Sequence, residues 1–330
     1  MPTSRTVLVV GGAGYIGSHM VQALLDAGHR PVIVDDFSRG HRDLALTGEL
    51  IEGNFGDPAV LERAFAAHRI DAVMHFAAYA LVGESVADPL LYWINNTANT
   101  ARLLQAMVRH GCKRFIFSST CATYGTPAHV PIDEATPQSP INPYGASKLA
   151  CERMLAESHA AYGLQYASLR YFNAAGAHPR AHIGERHDPE SHLIPNVLKV
   201  ALGATPHVSI LGTDYPTPDG TCIRDYVHVC DLASAHLLAL DALFDGRPFG
   251  IYNLGTETGS SVREVIRTAR EITGHAIPAI EAPRRPGDPP VLVATSARAK
   301  SELGWKPTQS SLATLVETAW RWHQRDAERR

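Results

Sequence analysis

The chain opens on an apolar stretch, Thr6-Val7-Leu8-Val9-Val10, that runs directly into Gly11-Gly12-Ala13-Gly14-Tyr15-Ile16-Gly17. This junction constrains the fold more than any other feature, because each glycine has a separate task where a parallel strand hands over to a helix. One lets the chain turn tightly, one lets backbone approach a pyrophosphate, and one lets the helix pack close to the sheet with its N-terminal amides facing the phosphates. The helical pattern that follows, Ser18 to Ala27, ends at Gly28. A second apolar strand, Pro31-Val32-Ile33-Val34, ends in Asp35. An acid about twenty residues past such glycines can accept hydrogen bonds from an adenosine ribose. It would repel a 2'-phosphate, so NAD is expected rather than NADP.

Further on, Ala72-Val73-Met74-His75-Phe76, Phe115 to Ser118 and Ala167-Ser168-Leu169-Arg170-Tyr171 read as strands set between amphipathic helices. Such alternation predicts an α/β fold, a Rossmann-type doubly wound parallel sheet with helices on both faces. After Asn173 the pattern changes to a stretch rich in Gly, His and Pro, Gly176 to His192, with the character of a substrate loop. Phe249-Gly250-Ile251-Tyr252-Asn253-Leu254 reads as a strand that could return to the main sheet. From about Ser260 helices and short strands of a smaller α/β lobe follow, with a last helix from about Leu312 to Arg325. The expected division is a NAD-binding domain over residues 1–175, with a returning segment near 235–258, and a mainly ligand-binding lobe over 176–330.

A formal charge of -3 without basic runs argues against nucleic acid as a partner. The N-terminal apolar run is too short for a signal or membrane segment. Five cysteines, odd in number and without Cys-x-x-Cys or histidine ligand spacing, suggest reduced thiols in the cytoplasm and no metal site.

The chemistry is carried by Asn142-Pro143-Tyr144-Gly145-Ala146-Ser147-Lys148. Four residues apart on a helix, Tyr144 and Lys148 share one face. A free phenol has a pKa of about 10 and needs a nearby cation to act as a base at neutral pH. Lys148 is the expected cation. Taken alone the pair would read as an exposed helical contact; its company is Phe115-Ile116-Phe117-Ser118-Ser119-Thr120, a buried strand ending in hydroxyls.

With these motifs in place the chain resembles the extended short-chain dehydrogenase/reductase family over nearly its whole length. The resemblance rests on the glycine segment through Ser18-His19, His75-Phe76-Ala77-Ala78, Val82-Gly83-Glu84-Ser85, Ser118 to Gly125, Tyr144 to Lys148, Arg170-Tyr171-Phe172-Asn173, Gly220 to His228 and Arg284-Arg285-Pro286-Gly287-Asp288. It implies NAD-dependent 4-epimerisation of a UDP-sugar in a homodimer, with UDP-glucose and UDP-galactose the expected pair. Tyr144 is then the general base, Lys148 its charge partner and a ligand of the nicotinamide ribose, and Thr120 the hydroxyl beside the sugar. For NAD the resemblance nominates Gly11, Gly14, Tyr15, Ile16, Asp35, Asn54, Phe55, Phe76, Ala77, Asn95, Ser118 and Tyr171. For the UDP-sugar it nominates Asn173, His192, Leu193, Arg224, Tyr226, Arg285, Asp288 and Leu292. Two separated arginines suit a diphosphate, because guanidinium gives bidentate charged bonds. His75, on an apolar strand, reads as structural.

Three positions depart from the family. Asn54 stands where an acid often faces the adenine, Ala80 where some relatives place a lysine near the cofactor, and Leu292 where relatives carry either a large aromatic or a small residue. Three other readings stay open. A UDP-xylose/UDP-arabinose 4-epimerase shares the segments Ser118 to Tyr124 and Gly212 to Tyr215. A sugar-nucleotide dehydratase or decarboxylase would need an acid where Cys121 and Ala122 stand. A non-catalytic NAD-sensing module would be expected to lack the Tyr144-Lys148 pair.

Overall fold

The computed structural model describes residues 4–247, 250–285 and 288–329; Phe249, Pro286 and Gly287, named above, lie outside them. The opening folds as its glycines predict, with β1 (Thr6–Val10) entering the turn and α1 (Tyr15–Asp26) leaving it. There follow β2 (Arg30–Asp35), β3 (Leu50–Glu52), α2 (Pro58–Ala67), β4 (Ala72–His75), α3 (Val82–Ala87), α4 (Pro89–Tyr92), α5 (Asn99–Arg109), β5 (Arg114–Thr120), α6 (Pro143–Tyr162) and β6 (Gln165–Tyr171). The remaining elements are β7 (Asn173–Ala175), α7 (Leu193–Ala201), β8 (Val208–Leu211), β9 (Ile223–Arg224), β10 (Tyr226–His228), α8 (Val229–Phe244), β11 (Gly250–Asn253), β12 (Ser260–Ser261), α9 (Val262–Thr273), β13 (Ala279–Ala282), β14 (Val291–Leu292) and α10 (Leu312–Arg329).

Seven strands form one sheet in the order β11-β6-β5-β4-β1-β2-β3, with every neighbouring pair parallel. Parallel sheets are stable only with both faces covered, and the side chains sort accordingly. Val7, Val9, Ile33, Met74, Ile116 and Leu169 pack on one face against Met20 and Leu24 of α1 and Leu232 and Leu240 of α8. Leu8, Val10, Val32, Val34, Phe115 and Phe117 pack on the other against Leu61, Leu103, Met107 and Leu155. The expected returning strand is β11, which pairs with β6 from Gly250↔Ala167 to Asn253↔Arg170.

A separate apolar cluster joins Ile194 and Leu198 of α7, Ile210 of β8, Val265 and Ile266 of α9, and Leu315 and Trp320 of α10. Three small sheets, β10-β7, β12-β9-β14 and β13-β8, flank it. Because the main strands are parallel, the residues ending β1, β2, β5 and β6 (Val10, Asp35, Thr120 and Tyr171) lie along one edge. Ligands of open α/β sheets bind at that edge.

Candidate active site

Two glycines at the turn cannot carry side chains. Gly11 has φ +81°, and an added Cβ would lie 2.5 Å from the Ala77 nitrogen; a Cβ at Gly17 would lie 2.0 Å from the Gly11 carbonyl oxygen. Gly14 is the N-cap of α1, without a side-chain cap or an acid in the first turn. A Cβ there would meet only the Gly11 carbonyl, at 3.4 Å. The first amides of α1 are thus left to whatever enters the cleft lined by Gly11, Gly14, Tyr15 and Ile16, which fits a dinucleotide pyrophosphate.

Asp35 lines the same cleft and accepts hydrogen bonds from the Ala13 and Phe37 amides, both at 2.9 Å. Burial raises its pKa above the usual carboxylate range, against those two bonds. Each oxygen keeps a lone pair for a ribose hydroxyl. Phe55, Phe76, Ala77, Asn95 and Tyr171 also line the cleft, and Tyr15 is fixed there by its hydroxyl, which donates to the Gly176 carbonyl at 2.6 Å. His75 is buried and bonded to the Thr100 hydroxyl, a structural contact.

Asn54 is held by its neighbours. Its amide nitrogen donates to Asp36, and its oxygen accepts from the Gly56 amide at 2.8 Å and from Asn99. The Asn54 oxygen therefore already has two donors, and Asp36, Gly53 and Phe55 line the cleft.

Asn142 caps α6 by accepting the Gly145 amide at 2.9 Å, with Pro143 in the first turn. This sets Tyr144 at the helix start, within hydrogen bonding of the Thr120 hydroxyl. Behind them, Glu152 of α6 accepts the Ser119 hydroxyl at 2.6 Å and the Arg170 Nε at 2.8 Å, locking α6 to β5 and β6. Burial pushes the Tyr144 phenol up to about 12, and the Thr120 bond pulls only partly the other way. The Lys148 ammonium is buried, donates to the Ser118 carbonyl at 2.8 Å and sits 4.6 Å over the Phe117 ring. Burial lowers its pKa to about 8. Lys148 and Ser118 thus lie beneath the lining, with the Ser118 hydroxyl 2.5 Å from that of Tyr171.

At the other end of the cleft Arg224 is paired with Asp288, which also accepts from Arg285 at 3.1 Å. Tyr226, Leu292, Asn173, His192 and Leu193 line this end, and β14 places Leu292 in register with Arg224. The Asn173 amide donates to the Asp225 carbonyl at 3.0 Å. The cleft encloses about 1610 Å³. A pocket for a single small ligand typically measures roughly 300–1,000 Å³, so this cleft has room for a dinucleotide and a second nucleotide end to end.

Two groups went unread in the sequence. Arg39 donates to Glu84 at 2.5 Å and stacks 5.2 Å from the Tyr79 ring, bridging the cleft beside Ala80. The loop before α7 gathers Glu185, His187, Glu190 and His192. Burial disfavours charge on its histidines, yet bonds to the two glutamates push His187 up to about 9 and His192 up to about 10. Its signature, Glu-x-His-x-x-Glu-x-His, was readable as spacing.

A glycine turn opening a helix, an acid ending the second strand and a capped tyrosine on the same sheet edge define a dinucleotide-dependent enzyme of the short-chain dehydrogenase type. The chain belongs to the NAD dependent epimerase/dehydratase family, whose model matches residues 7–255. The dinucleotide is accordingly NAD. A UDP-glucose 4-epimerase of Halalkalibacterium halodurans is 52% identical over 318 residues, 96% of this chain and 95% of that protein. The crystal structure of UDP-glucose 4-epimerase from Bifidobacterium longum in complex with NAD+ and UDP superimposes with a TM-score of 0.92 at 41% identity, covering 98% of this chain and 99% of that one. A UDP-glucose-4-epimerase from Stenotrophomonas maltophila, with bound NAD and formylated UDP-arabinopyranose, superimposes with a TM-score of 0.95 at 39% identity, covering 99% and 100%.

Proposed function

We propose that this protein interconverts UDP-glucose and UDP-galactose by NAD-dependent 4-epimerisation. The observation that carries the reading is the single cleft, which runs from the glycine turn and Asp35 past Tyr144 and Thr120 to Arg224 and Asp288. NAD, when bound, supplies the acceptor and later the donor of one hydride and a positive charge near the phenol. Tyr144 takes the proton of the C4 hydroxyl as the hydride leaves, and returns it when the 4-keto sugar is reduced on its other face. Thr120 shares the hydrogen bond to the reacting oxygen. Lys148, held on the Ser118 carbonyl, is positively charged below about pH 8 and serves the nicotinamide ribose.

Turning the sugar requires a firm grip on UDP and a weak one on the hexose. Arg224, Arg285, Asp288, Asn173, Tyr226, His192 and Leu193 are assigned the grip. Around Thr120 and Tyr171 the adjoining lining residues, Ala122 and Phe172, are uncharged, which suits a sugar that must swing. The dehydratase reading lacks its acid, because Cys121 is buried and burial drives its thiol well above the usual range. The pentose reading has the arabinose-bound relative in its favour.

We assign NAD to residues 1–175 with the returning segment 235–258, and the nucleotide-sugar mainly to 176–330. The exposed apolar Val86, Leu90, Trp93 and Ile94 offer a homodimer face, and five unpaired cysteines suit the cytoplasm. Among the described residues no helix is long and apolar enough to cross a membrane. The direct test gives one preparation UDP-galactose and UDP-arabinose separately and follows the products by anion-exchange chromatography. The reading predicts the higher kcat/KM with UDP-galactose; turnover of the pentose alone, or oxidised sugar with accumulating NADH, would overturn it.

A further inference from the structure

We propose that Glu185, His187, Glu190 and His192 form a binding site for a first-row divalent transition metal of the zinc class. The site shares His192 with the nucleotide-sugar assignment and is otherwise separate from it. One ligand atom from each of the four lies within 4.8 Å of every other. The His192 Nδ1 is 2.8 Å from the Glu185 Oε1 and 3.0 Å from the Glu190 Oε1; the His187 Nδ1 is 3.1 Å from the Glu185 Oε1 and 3.7 Å from the Glu190 Oε2. Zinc bonds of 2.0–2.2 Å to nitrogen and oxygen in a tetrahedron place neighbouring ligand atoms about 3.3 Å apart. These four separations bracket that value, with Glu190 offering a different oxygen to each imidazole, and the whole set converges within 4.8 Å, so the side chains would draw together to receive the ion.

Charge favours the same reading. The glutamate side chains are 5% and 1% exposed, and the imidazoles are their ion-pair partners. Neutralising two buried carboxylates with two imidazolium ions, 28% and 41% exposed, keeps four ionised groups together, and the two carboxylates carry the larger desolvation cost. One dication with neutral imidazoles needs only two ionised side chains. Two imidazoles and two carboxylates suit zinc and its neighbours rather than calcium or magnesium, which take oxygen ligands. Four protein ligands leave no open position, the arrangement of a structural site. It would brace the loop against α1, where the Tyr15 ring meets His187 edge-on at 6.2 Å, and fix the entry to α7. Each imidazole must shed a proton to bind, so affinity should rise with pH.

The test uses the full chain with its nucleotide, treated with chelator, and Co2+ as a spectroscopic stand-in for zinc. Expected is one Co2+ per chain with visible d–d absorption of tetrahedral intensity, displaced by equimolar Zn2+. His187→Ala with Glu190→Gln should weaken binding by more than the roughly 10- to 100-fold that an outer-shell partner costs. His178→Gln with His182→Gln, at another histidine pair, should leave it unchanged. A titration of the unmodified protein without d–d absorption would overturn the proposal whether or not the variants fold. So would binding that survives the first double variant or disappears in the second.

Discussion

The two arginines expected to hold the diphosphate should contribute unequally, and their environments set the ratio. The Arg224 side chain is 11% exposed and is locked from one side by Asp288, while its Nη1 donates to the Ile223 carbonyl at 2.8 Å. Arg285 reaches the same carboxylate at 3.1 Å but is 61% exposed. A hydrogen bond to a charged group in a sheltered site is worth roughly 1.5 to 3 kcal/mol. At 1.4 kcal/mol per factor of ten, Arg224→Ala should weaken UDP binding by about 10- to 150-fold. The screened, exposed Arg285 should follow the range for surface pairs, about 0.2 to 1 kcal/mol, so that Arg285→Ala costs at most about fivefold. Titrating UDP calorimetrically into NAD-bearing protein measures both, and raising the salt should erase the Arg285 effect before that of Arg224. An Arg285→Ala loss equal to or larger than that of Arg224→Ala would refute the argument from burial. Unchanged affinity in both would place the diphosphate elsewhere.

Other outcomes follow from the same site. Tyr144→Phe should retain NAD and the fold while lowering kcat by at least about 100-fold, the lower range for a general base; near-normal turnover would remove Tyr144 from the chemistry. Burial holds His19 at about 3 and His178, His228 and His236 at about 4. Between about pH 6.5 and 4 the unfolded chain therefore binds protons that the folded one refuses, so stability must fall as pH falls through that window. Thermal melting should show Tm dropping from pH 6 to 4.5, and a flat profile would contradict the buried neutral state. Leu292, packed near Cys121, Tyr124 and Ile132, should crowd a C2 acetamido group at a cost of about 1 to 3 kcal/mol. UDP-N-acetylglucosamine should thus be the poorer substrate, with Leu292→Ser narrowing the gap; equal kcat/KM for both sugars in the unmodified protein would contradict that role.

What could be read from the residues was what depends on near neighbours. Gly11 and Gly17 must be glycines because backbone lies within 2.5 Å of any Cβ placed on them, and that demand is written into a seven-residue motif. Strand ends carrying Asp35 and Thr120 were legible because buried parallel strands are continuous apolar runs. The orientation of Lys148 was not, since its partner is the carbonyl of Ser118, thirty residues away on another element. The surroundings of Asn54 were hidden for a related reason: the Gly56 amide and the sequence-distant Asn99 both donate to its oxygen. The strands β9, β12 and β14 are two residues each, too short for any periodicity. Glu185, His187, Glu190 and His192 were visible as spacing, and only their convergence in space made them a group.

In the proposed reaction one hydride leaves C4 and returns to C4 at one site, with Tyr144 handling only the hydroxyl proton. The reaction can be run on UDP-galactose in D2O and the UDP-glucose formed examined by proton NMR. No solvent deuterium is expected at C4 or C5 of the product, and deuterium placed at C4 of the substrate should be fully retained. Solvent deuterium at C5, or loss of the C4 label, would show carbon-bound protons exchanging with water and would contradict the mechanism.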